Sequence, residues 1–470
     1  MEKKQSEFNK VFSAWDILVI AFGAMIGWGW VVSSGGWIQK GGVLGAALGF
    51  VVGGVMIFFV GLTYAELTAA MPQCGGEHVW SHRAMGPTGS FVCTWAIVLG
   101  YVGVACFEAC AFPTIISYLW PGFLKGYLYT VAGFDIYASW LIVAILVAFG
   151  IMLINIVGAK TAAKLQTILT IIIGGAGILL IVASVINGTV DNLDGQMFAE
   201  VGGGGIVKSI LSVVLAVLFY AFVIIAVGLV MNAGAITASQ AGTGLVTADA
   251  MALAFKTSVM AKVIIVGGMC GIITSWNSFM IGGSRAIYSM AESYMIPRVF
   301  AKLHPKHKTP INALILIGIL TMLAPFAGRV MMVWICDAGN FGCCLAYCMV
   351  AISFLILRKK QPDMPRPYKV PAGRLMGGVA VLMSGFMVVM YCIPGSGGTL
   401  ILPEWGMVAA WSALGVVFFA ICKSKYRESF GSMIQLISDE DAATLLPEAD
   451  ERELDKVIDG AIDRVLARLA

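Results

Sequence analysis

The sequence predicts an all-α membrane protein, because it is apolar overall and its apolar residues fall in long runs. Hydrophobic residues make up 59% of the 470 residues and charged residues only 12%, and the mean hydropathy is +0.90. Soluble domains are roughly a quarter charged, so lipid is the solvent that suits this chain. Helices are favoured because a spanning segment must satisfy its own backbone polar groups.

The apolar runs define about eleven helical spans, since about twenty residues suffice to cross the hydrocarbon. The predicted spans are 14–35, 42–70, 88–118, 138–157, 165–187, 207–232, 258–283, 311–327, 330–357, 375–395 and 403–422. This pattern indicates a multi-pass protein of the cell membrane, with the lipid bilayer as its surroundings.

The loops between the spans fall into a basic group and a group poor in Lys and Arg. The basic group comprises the N-terminus, Lys160 with Lys164, and the stretches 285–308, 358–374 and 423–427. The positive-inside rule predicts that this group is cytoplasmic.

This topology contains one conflict. The loops 188–206 and 233–248 carry no Lys or Arg and are both predicted outside, yet the single span 207–232 lies between them. Either one span is missing between Glu200 and Lys208, or the second half is inverted against its charges. The glycine run at 202–205 is where we place the fault.

The first span contains the glycine-rich stretch Gly23-Ala24-Met25-Ile26-Gly27-Trp28-Gly29. Irregular backbone at membrane depth is tolerated only where it lines a cavity or is buried in protein. Freed N–H groups would suit a carboxylate, and freed carbonyls would suit an ammonium or another cation. Close helix packing through small residues explains the same glycines equally well.

Several motifs occur in a fixed order along the chain. They are Gly23–Gly29, Tyr64-Ala65-Glu66, Met71-Pro72, Gly75-Gly76-Glu77, Gly86-Pro87, Trp95, Ser284-Arg285, Met290-Ala291, Pro297, Thr309-Pro310 and Arg366-Pro367-Tyr368-Lys369-Val370-Pro371. In this order the set resembles the amino acid–polyamine–organocation superfamily over residues 14 to about 425. The resemblance implies a LeuT-type bundle of two inverted five-helix repeats plus two additional helices.

The family has twelve spans, and the sixth is not found in this sequence. The implied organisation is a cytoplasmic N-terminus (1–13), a first repeat (14–187), an outer loop with the suspected missing helix (188–206), an incomplete second repeat (207–357), two additional helices (375–422) and a cytoplasmic tail (423–470). Apolar residues at helical spacing in the tail, from Leu454 to Leu469, predict an amphipathic helix that docks on the body or on a partner.

The resemblance implies secondary transport of amino acids or related amines by alternating access. The Gly23–Gly29 backbone would hold the substrate, and Trp28 could close over it. A non-transporting sensor, or an inactive truncated paralogue, is the rival hypothesis. We expect no enzyme activity, no cofactor and no nucleic-acid partner, while coupling to H+ or Na+ and the oligomeric state stay open.

Further candidates lie within or near the spans. Intramembrane carboxylates are costly, so Glu108 is a candidate proton or amine partner, or a residue near the outer water. A second group could face the cavity or an ion, or could bond across helices: Thr274, Ser275, Asn277 and Ser278. Glu66 and Arg285, near the cytoplasmic ends, are candidates for packing or gating. The cysteines and histidines show no metal-ligand spacing, so no metal site is predicted.

Overall fold

The computed structural model describes residues 23–432, except for residues 28, 33, 194–196, 198–216, 243–244, 329 and 397. The helices are α1 (Gly29–Val32), α2 (Ser34–Ala70), α3 (Glu77–Leu119), α4 (Ala138–Val157), α5 (Ala159–Asn187), α6 (Val217–Val230), α7 (Ala233–Gly242), α8 (Val246–Phe255), α9 (Ser258–Glu292), α10 (Ile311–Leu323), α11 (Met331–Lys360), α12 (Gly373–Cys392) and α13 (Leu402–Tyr426). The strands are β1 (Tyr127–Val131) and β2 (Phe134–Tyr137).

The predicted all-α membrane class is confirmed. Within the described residues, eight helices are long and apolar enough to cross a membrane, and a pair bent by 107°, Tyr220–Val230 and Ala233–Ala241, makes up to nine. The segment Ile311–Ala327 is a shorter apolar helix. The predicted span 14–35 is described only from residue 23, and the span 207–232 only from Val217.

Glycines divide the two longest helices. The backbone of α2 leaves helical geometry at Gly42, where φ is 74°, and that of α3 does so at Gly86, where φ is 78°. Glycine adopts such positive φ values without the steric cost that a side chain would add. Pro87 follows the second break and starts the longer part of α3, so this part begins close to the predicted span 88–118.

The centre of the bundle is formed by α3, which packs against both α9 and α11. Small residues allow α3 and α11 to approach closely. A methyl group added at Gly103 would lie 2.9 Å from the Ile335 carbonyl oxygen, and one added at Gly339 would lie 3.4 Å from Gly100 Cα. Contacts also join α2 with α6 and α4 with α10.

The ends of α5 and α6 lie side by side. The Thr189 N–H donates to the Leu229 carbonyl at 2.9 Å, and the Asn192 side-chain amide donates to the same oxygen at 2.8 Å. Because α5 and α6 also pack together, they run parallel, and the residues that follow each of them lie at one end of the bundle. The suspected gap at residues 200–208 falls outside the described residues.

Two predicted loops contain regular structure. In the loop 119–137, β1 and β2 pair as an antiparallel hairpin, whose turn residues Ala132 and Gly133 have φ values of 47° and 85°. Positive φ at both turn residues matches the twist of a two-residue hairpin. In the loop 233–248, α7 is complete and α8 begins, and Thr247 of α8 donates to the Val31 carbonyl at 2.8 Å. The helix α8 is thereby fastened to the end of α1.

The sidedness of the basic loops can be tested at Lys306, which is exposed between α9 and α10. We expect the Lys306→Cys thiol to resist a membrane-impermeant maleimide in intact cells and to react after permeabilisation, because basic loops stay on the cytoplasmic side. The matched control is Asp191→Cys, exposed at the opposite end of α5, which should react from outside. Labelling of Lys306→Cys in intact cells would show that this half is inverted.

Candidate functional site

The main chain changes course within the glycine-rich stretch. Residues 23–25 are helical, Ile26 and Gly27 form bends, and helical geometry resumes in α1. Trp28 lies outside the described residues. Gly23, Ile26 and Gly27 are buried, whereas the Met25 side chain is 55% exposed. The bends lie against the interior of the bundle, so the polar groups of this backbone face protein.

Glu108 of α3 and Ser275 of α9 meet the main chain at Gly27. A methyl group added at Gly27 would lie 2.9 Å from Glu108 Oε1 and 3.3 Å from Ser275 Oγ. The Ser275 hydroxyl hydrogen-bonds the Glu108 carboxyl. Ser275 lies at the middle of α9, which places the bends deep within the bundle. A side chain at position 27 would have to displace these two polar groups.

Tyr220 of α6 bridges the bends from another side. Its hydroxyl donates to the Met25 carbonyl at 2.9 Å and also hydrogen-bonds the main chain of Gly27. The Tyr220 ring is held by aromatic contacts with Trp37 and Phe50, at centroid distances of 5.8 and 5.3 Å. One phenol therefore satisfies polar groups on both sides of Ile26.

The start of the stretch packs on α5 and α9. A methyl group added at Gly23 would contact the Gln166 amide and would lie 2.8 Å from Thr170 Oγ1 and 3.2 Å from Thr274 Cβ. Thr274 itself donates to the Gly271 carbonyl of its own helix at 2.9 Å. Gly23 thus has room only because it carries no side chain.

A chain of amide and hydroxyl groups joins α4, α5 and α9 beside this contact. Asn155 donates to Asn277 at 2.9 Å, Asn277 donates to Gln166 at 3.0 Å, and Gln166 donates to Ser278 at 3.0 Å. Asn277 and Ser278 therefore bond across helices, which is the structural alternative of the sequence analysis. The network is uncharged and lies next to the helix that ends in the bends.

Near the C-terminal end of α2, Glu66 is buried in a cluster with two arginines. Arg358 Nε and Arg366 Nε each lie 3.0 Å from Glu66 Oε1, and a second nitrogen of Arg358 contacts Oε2. The Val370 N–H donates to Oε2 at 2.8 Å. Burial lowers the pKa of Arg366, and the charge of Glu66 opposes that effect. The carboxylate holds α2, α11 and the following loop together.

Arg285 lies apart from this cluster. It interacts with Cys74, in the segment between α2 and α3. Burial raises the pKa of the Cys74 thiol to about 11, while Arg285 acts in the opposite direction. Glu66 and Arg285 therefore act at two separate contacts, and the proposed gating role of each stays a prediction.

Comparison with known proteins identifies the family. One protein-family model, described as amino acid permease, matches residues 16–212 of the sequence. A second family model with the same description matches residues 208–420. The chain belongs to the amino acid permease family. This membership makes the permease a multi-pass membrane transporter of the amino acid–polyamine–organocation superfamily, as the motifs predict, and not an enzyme.

Three proteins from Bacillus subtilis that are similar to this permease illustrate the range of the family. A branched-chain amino acid permease is 25% identical, covering 82% of this chain and 89% of the relative. A methylthioribose transporter is 23% identical, with 90% and 96% covered. An aspartate–proton symporter is 26% identical, with 82% and 80% covered.

The sequence analysis named the glycine-rich stretch and the polar residues Glu108 and Ser275 as candidates, but it did not predict the contacts between them. Gly27, Glu108 and Ser275 lie together, although they come from three separate spans. Gln166 was not recognised, because a glutamine in an apolar helix carries no motif of its own. Tyr220 was noted only within Phe219-Tyr220-Ala221-Phe222, a faint echo of the family's sixth-helix motif, and its contact with the bends was not predicted. A search for polar residues inside predicted spans would have found Gln166.

The Tyr220 hydroxyl is expected to stabilise the fold at the bends. Tyr220→Phe removes this donor from the partly buried hydrogen bond to the Met25 carbonyl, and we expect a loss of about 0.5–1.5 kcal/mol in the free energy of unfolding, measured as a lower melting temperature in detergent. Tyr129→Phe removes a bond to the Phe326 carbonyl in the exposed hairpin and should change stability by less than about 0.5 kcal/mol. Equal melting temperatures would refute the role assigned to Tyr220.

Proposed function

We propose that this permease carries amino acids or related amines across the cell membrane, with the substrate held at the bends of residues 23–29. The observation that carries the proposal is the meeting of Gly27, Glu108 and Ser275 deep within the bundle. Main-chain carbonyls and a carboxyl can accept hydrogen bonds from an ammonium, and main-chain N–H groups freed where a helix is broken can bind a carboxylate.

The relatives support the chemical class of the substrate. Two of them are named for branched-chain amino acids and for aspartate, which share an ammonium and a carboxylate on one carbon. The third is named for methylthioribose, which has no amine. Two of these three names thus support the ammonium-bearing class, which we propose for this permease.

Alternating access is proposed as the mechanism. The helices α2 and α6, α3 and α9, and α4 and α10 pack as pairs, and each pair joins helices at equivalent positions of the two proposed repeats. In inverted-repeat transporters, one part of the bundle rocks against the other around a central site. At one end of the bundle, the hydrogen bond from Thr247 links α8 to α1, so that these helices would move together. At the other end, the Glu66 cluster links α2, α11 and the loop that follows α11.

We also propose that the sixth span is shortened or missing. The alignment with the branched-chain amino acid permease runs over 433 positions, whereas 82% of 470 residues is about 385, so about 48 positions have no residue here. With the aspartate–proton symporter, 427 positions against about 385 residues leave about 42. The two family models overlap at residues 208–212, next to the glycine run at 202–205 where we place the gap.

We propose either H+ or Na+ as the coupling ion. The network of Gln166, Asn277 and Ser278 is neutral, and its oxygens, which already accept hydrogen bonds within the network, are of the type that suits a hard cation. Glu108 is a carboxyl that can carry a proton. Each feature supports one of the two ions, and uptake driven separately by a proton gradient and by a sodium gradient distinguishes them.

The substrate site is tested at Gly27. We expect Gly27→Leu to abolish the binding of radiolabelled amino acids to the purified protein while leaving membrane insertion intact, because a side chain there would collide with Glu108 and Ser275. Gly36→Leu is the matched control, since a Cβ at Gly36 meets nothing within 4 Å. Retained binding by Gly27→Leu would rule out the assigned role, and loss in both variants would indicate a general effect of leucine in this glycine-rich part of the chain.

A further inference from the structure

Glu108 has an oxygen that the protein leaves open. The residue is 2% exposed, its Oε1 faces Gly27, and Ser275 hydrogen-bonds the carboxyl. In the part of the chain that the structure describes, Oε2 has no hydrogen-bond partner. A buried acceptor without a donor costs free energy, so the open oxygen indicates a group that is satisfied only when something binds.

Polar side chains from three neighbouring helices also lie close to Glu108. Tyr220 of α6 and Cys336 of α11 interact with it electrostatically, and Ser275 is the contact from α9. None of these three groups carries a positive charge in its ordinary state. Among the described residues, no Lys, Arg or His acts on the Glu108 carboxyl.

Another buried carboxyl of the same protein shows what a structural role looks like. Glu66 contacts two guanidinium groups and one main-chain N–H, so both of its oxygens are bonded. Glu108 has one hydroxyl contact and an open oxygen. The difference separates a carboxylate that holds helices together from one that is available to a ligand.

An isolated carboxylate in a low-dielectric interior is too costly to persist. The Glu108 carboxyl therefore either holds a proton or pairs with a cation. A substrate ammonium provides that cation and three N–H donors. The acceptors around it are Glu108 Oε2, Ser275 Oγ and the carbonyl oxygens of Ile26 and Gly27, which lie against Gly271, one turn before Ser275.

We infer that Glu108 exchanges its proton for the ammonium group of the substrate. The carboxyl O–H bond breaks, the proton leaves to water, and the carboxylate forms an ion pair with the incoming ammonium, so the neutral carboxyl of the empty site is replaced by an ion pair whose net charge is also zero. The inference rests on the proposed function and deepens it, because it names the ligand group that Glu108 recognises. The substrate class is then limited to molecules with a protonated amine.

The test measures proton release when an amino acid binds to the purified full-length protein. A panel of the common amino acids is first screened for binding by thermal shift. Each binder is then titrated at mildly acidic pH in weak buffer with a pH-sensitive dye, and by calorimetry in two buffers of different ionisation enthalpy. We expect close to one proton released per bound amino acid, and no binding of the N-acetylated form of the same molecule.

Three substitutions complete the design. Glu108→Gln should abolish proton release and weaken binding by about 10- to 100-fold, as expected for a lost hydrogen bond to a charged group. Glu108→Asp keeps the carboxyl and should retain the release with weaker binding, which covers the case in which Glu108→Gln does not fold. Glu404→Gln is the matched control, since Glu404 is buried and accepts from its own helix start at Ile401; it should release protons as the wild type does.

The outcomes distinguish this inference from the proposed function. Binding without proton release, or unchanged release by Glu108→Gln, would overturn the role of Glu108 and leave amino acid binding standing. Equal binding of the N-acetylated form would overturn it as well. If no amino acid binds the folded wild type, the proposed function and the inference fall together.

Discussion

The interior of the bundle is organised by the need to satisfy main-chain polar groups where the first helix bends. Inside a membrane protein no water is available to replace lost helical hydrogen bonds, so neighbouring side chains must do so. Tyr220 supplies a hydroxyl to the Met25 carbonyl, and Ser275 with Glu108 lies against Gly27. Glycine is required at positions 23 and 27 because polar groups of other helices occupy the space that a side chain would take.

The buried polar residues divide into two groups by how completely they are bonded. Asn277 and Ser278 take part in a network that joins three helices, and Glu66 is bonded through both oxygens. These contacts stabilise the arrangement of helices around the bends. Glu108 keeps an open oxygen, and the same physical reasoning therefore assigns it to a ligand and not to the scaffold.

The sequence alone predicted much of the helical framework. Hydropathy placed α4, α5, α11 and α13 within a few residues of their ends, because a span needs a continuous apolar run. The hairpin at 127–137 was missed, although alternating tyrosines around Ala132-Gly133 are a recognisable signal. The helices α7 and α8 were also missed, because they are short and are held by other helices: α7 contacts α2 and α8, and α8 contacts α9, α5 and α1.

The candidate site was predictable only in part. The glycines at 23–29 indicated a weak helix, and Glu108 stood out as a carboxylate in an apolar run. That Glu108, Ser275 and Tyr220 meet at Gly27 depends on how three distant helices pack, which no local pattern encodes. The charge conflict around residues 188–248 predicted either a missing span or an inverted second half, and our proposal of a shortened second repeat rests on the number of unmatched positions in the alignments.

The most direct measurement is uptake of radiolabelled amino acids by the purified full-length protein in proteoliposomes, with inserted and folded protein verified beforehand. If the bends of the first helix and Glu108 form a working site despite the proposed shortening of the second repeat, one or a few amine-bearing amino acids will enter faster than into protein-free vesicles. They will also be displaced by an excess of the unlabelled compound. Uptake of none of the panel, by protein that is inserted and folded, would contradict the account.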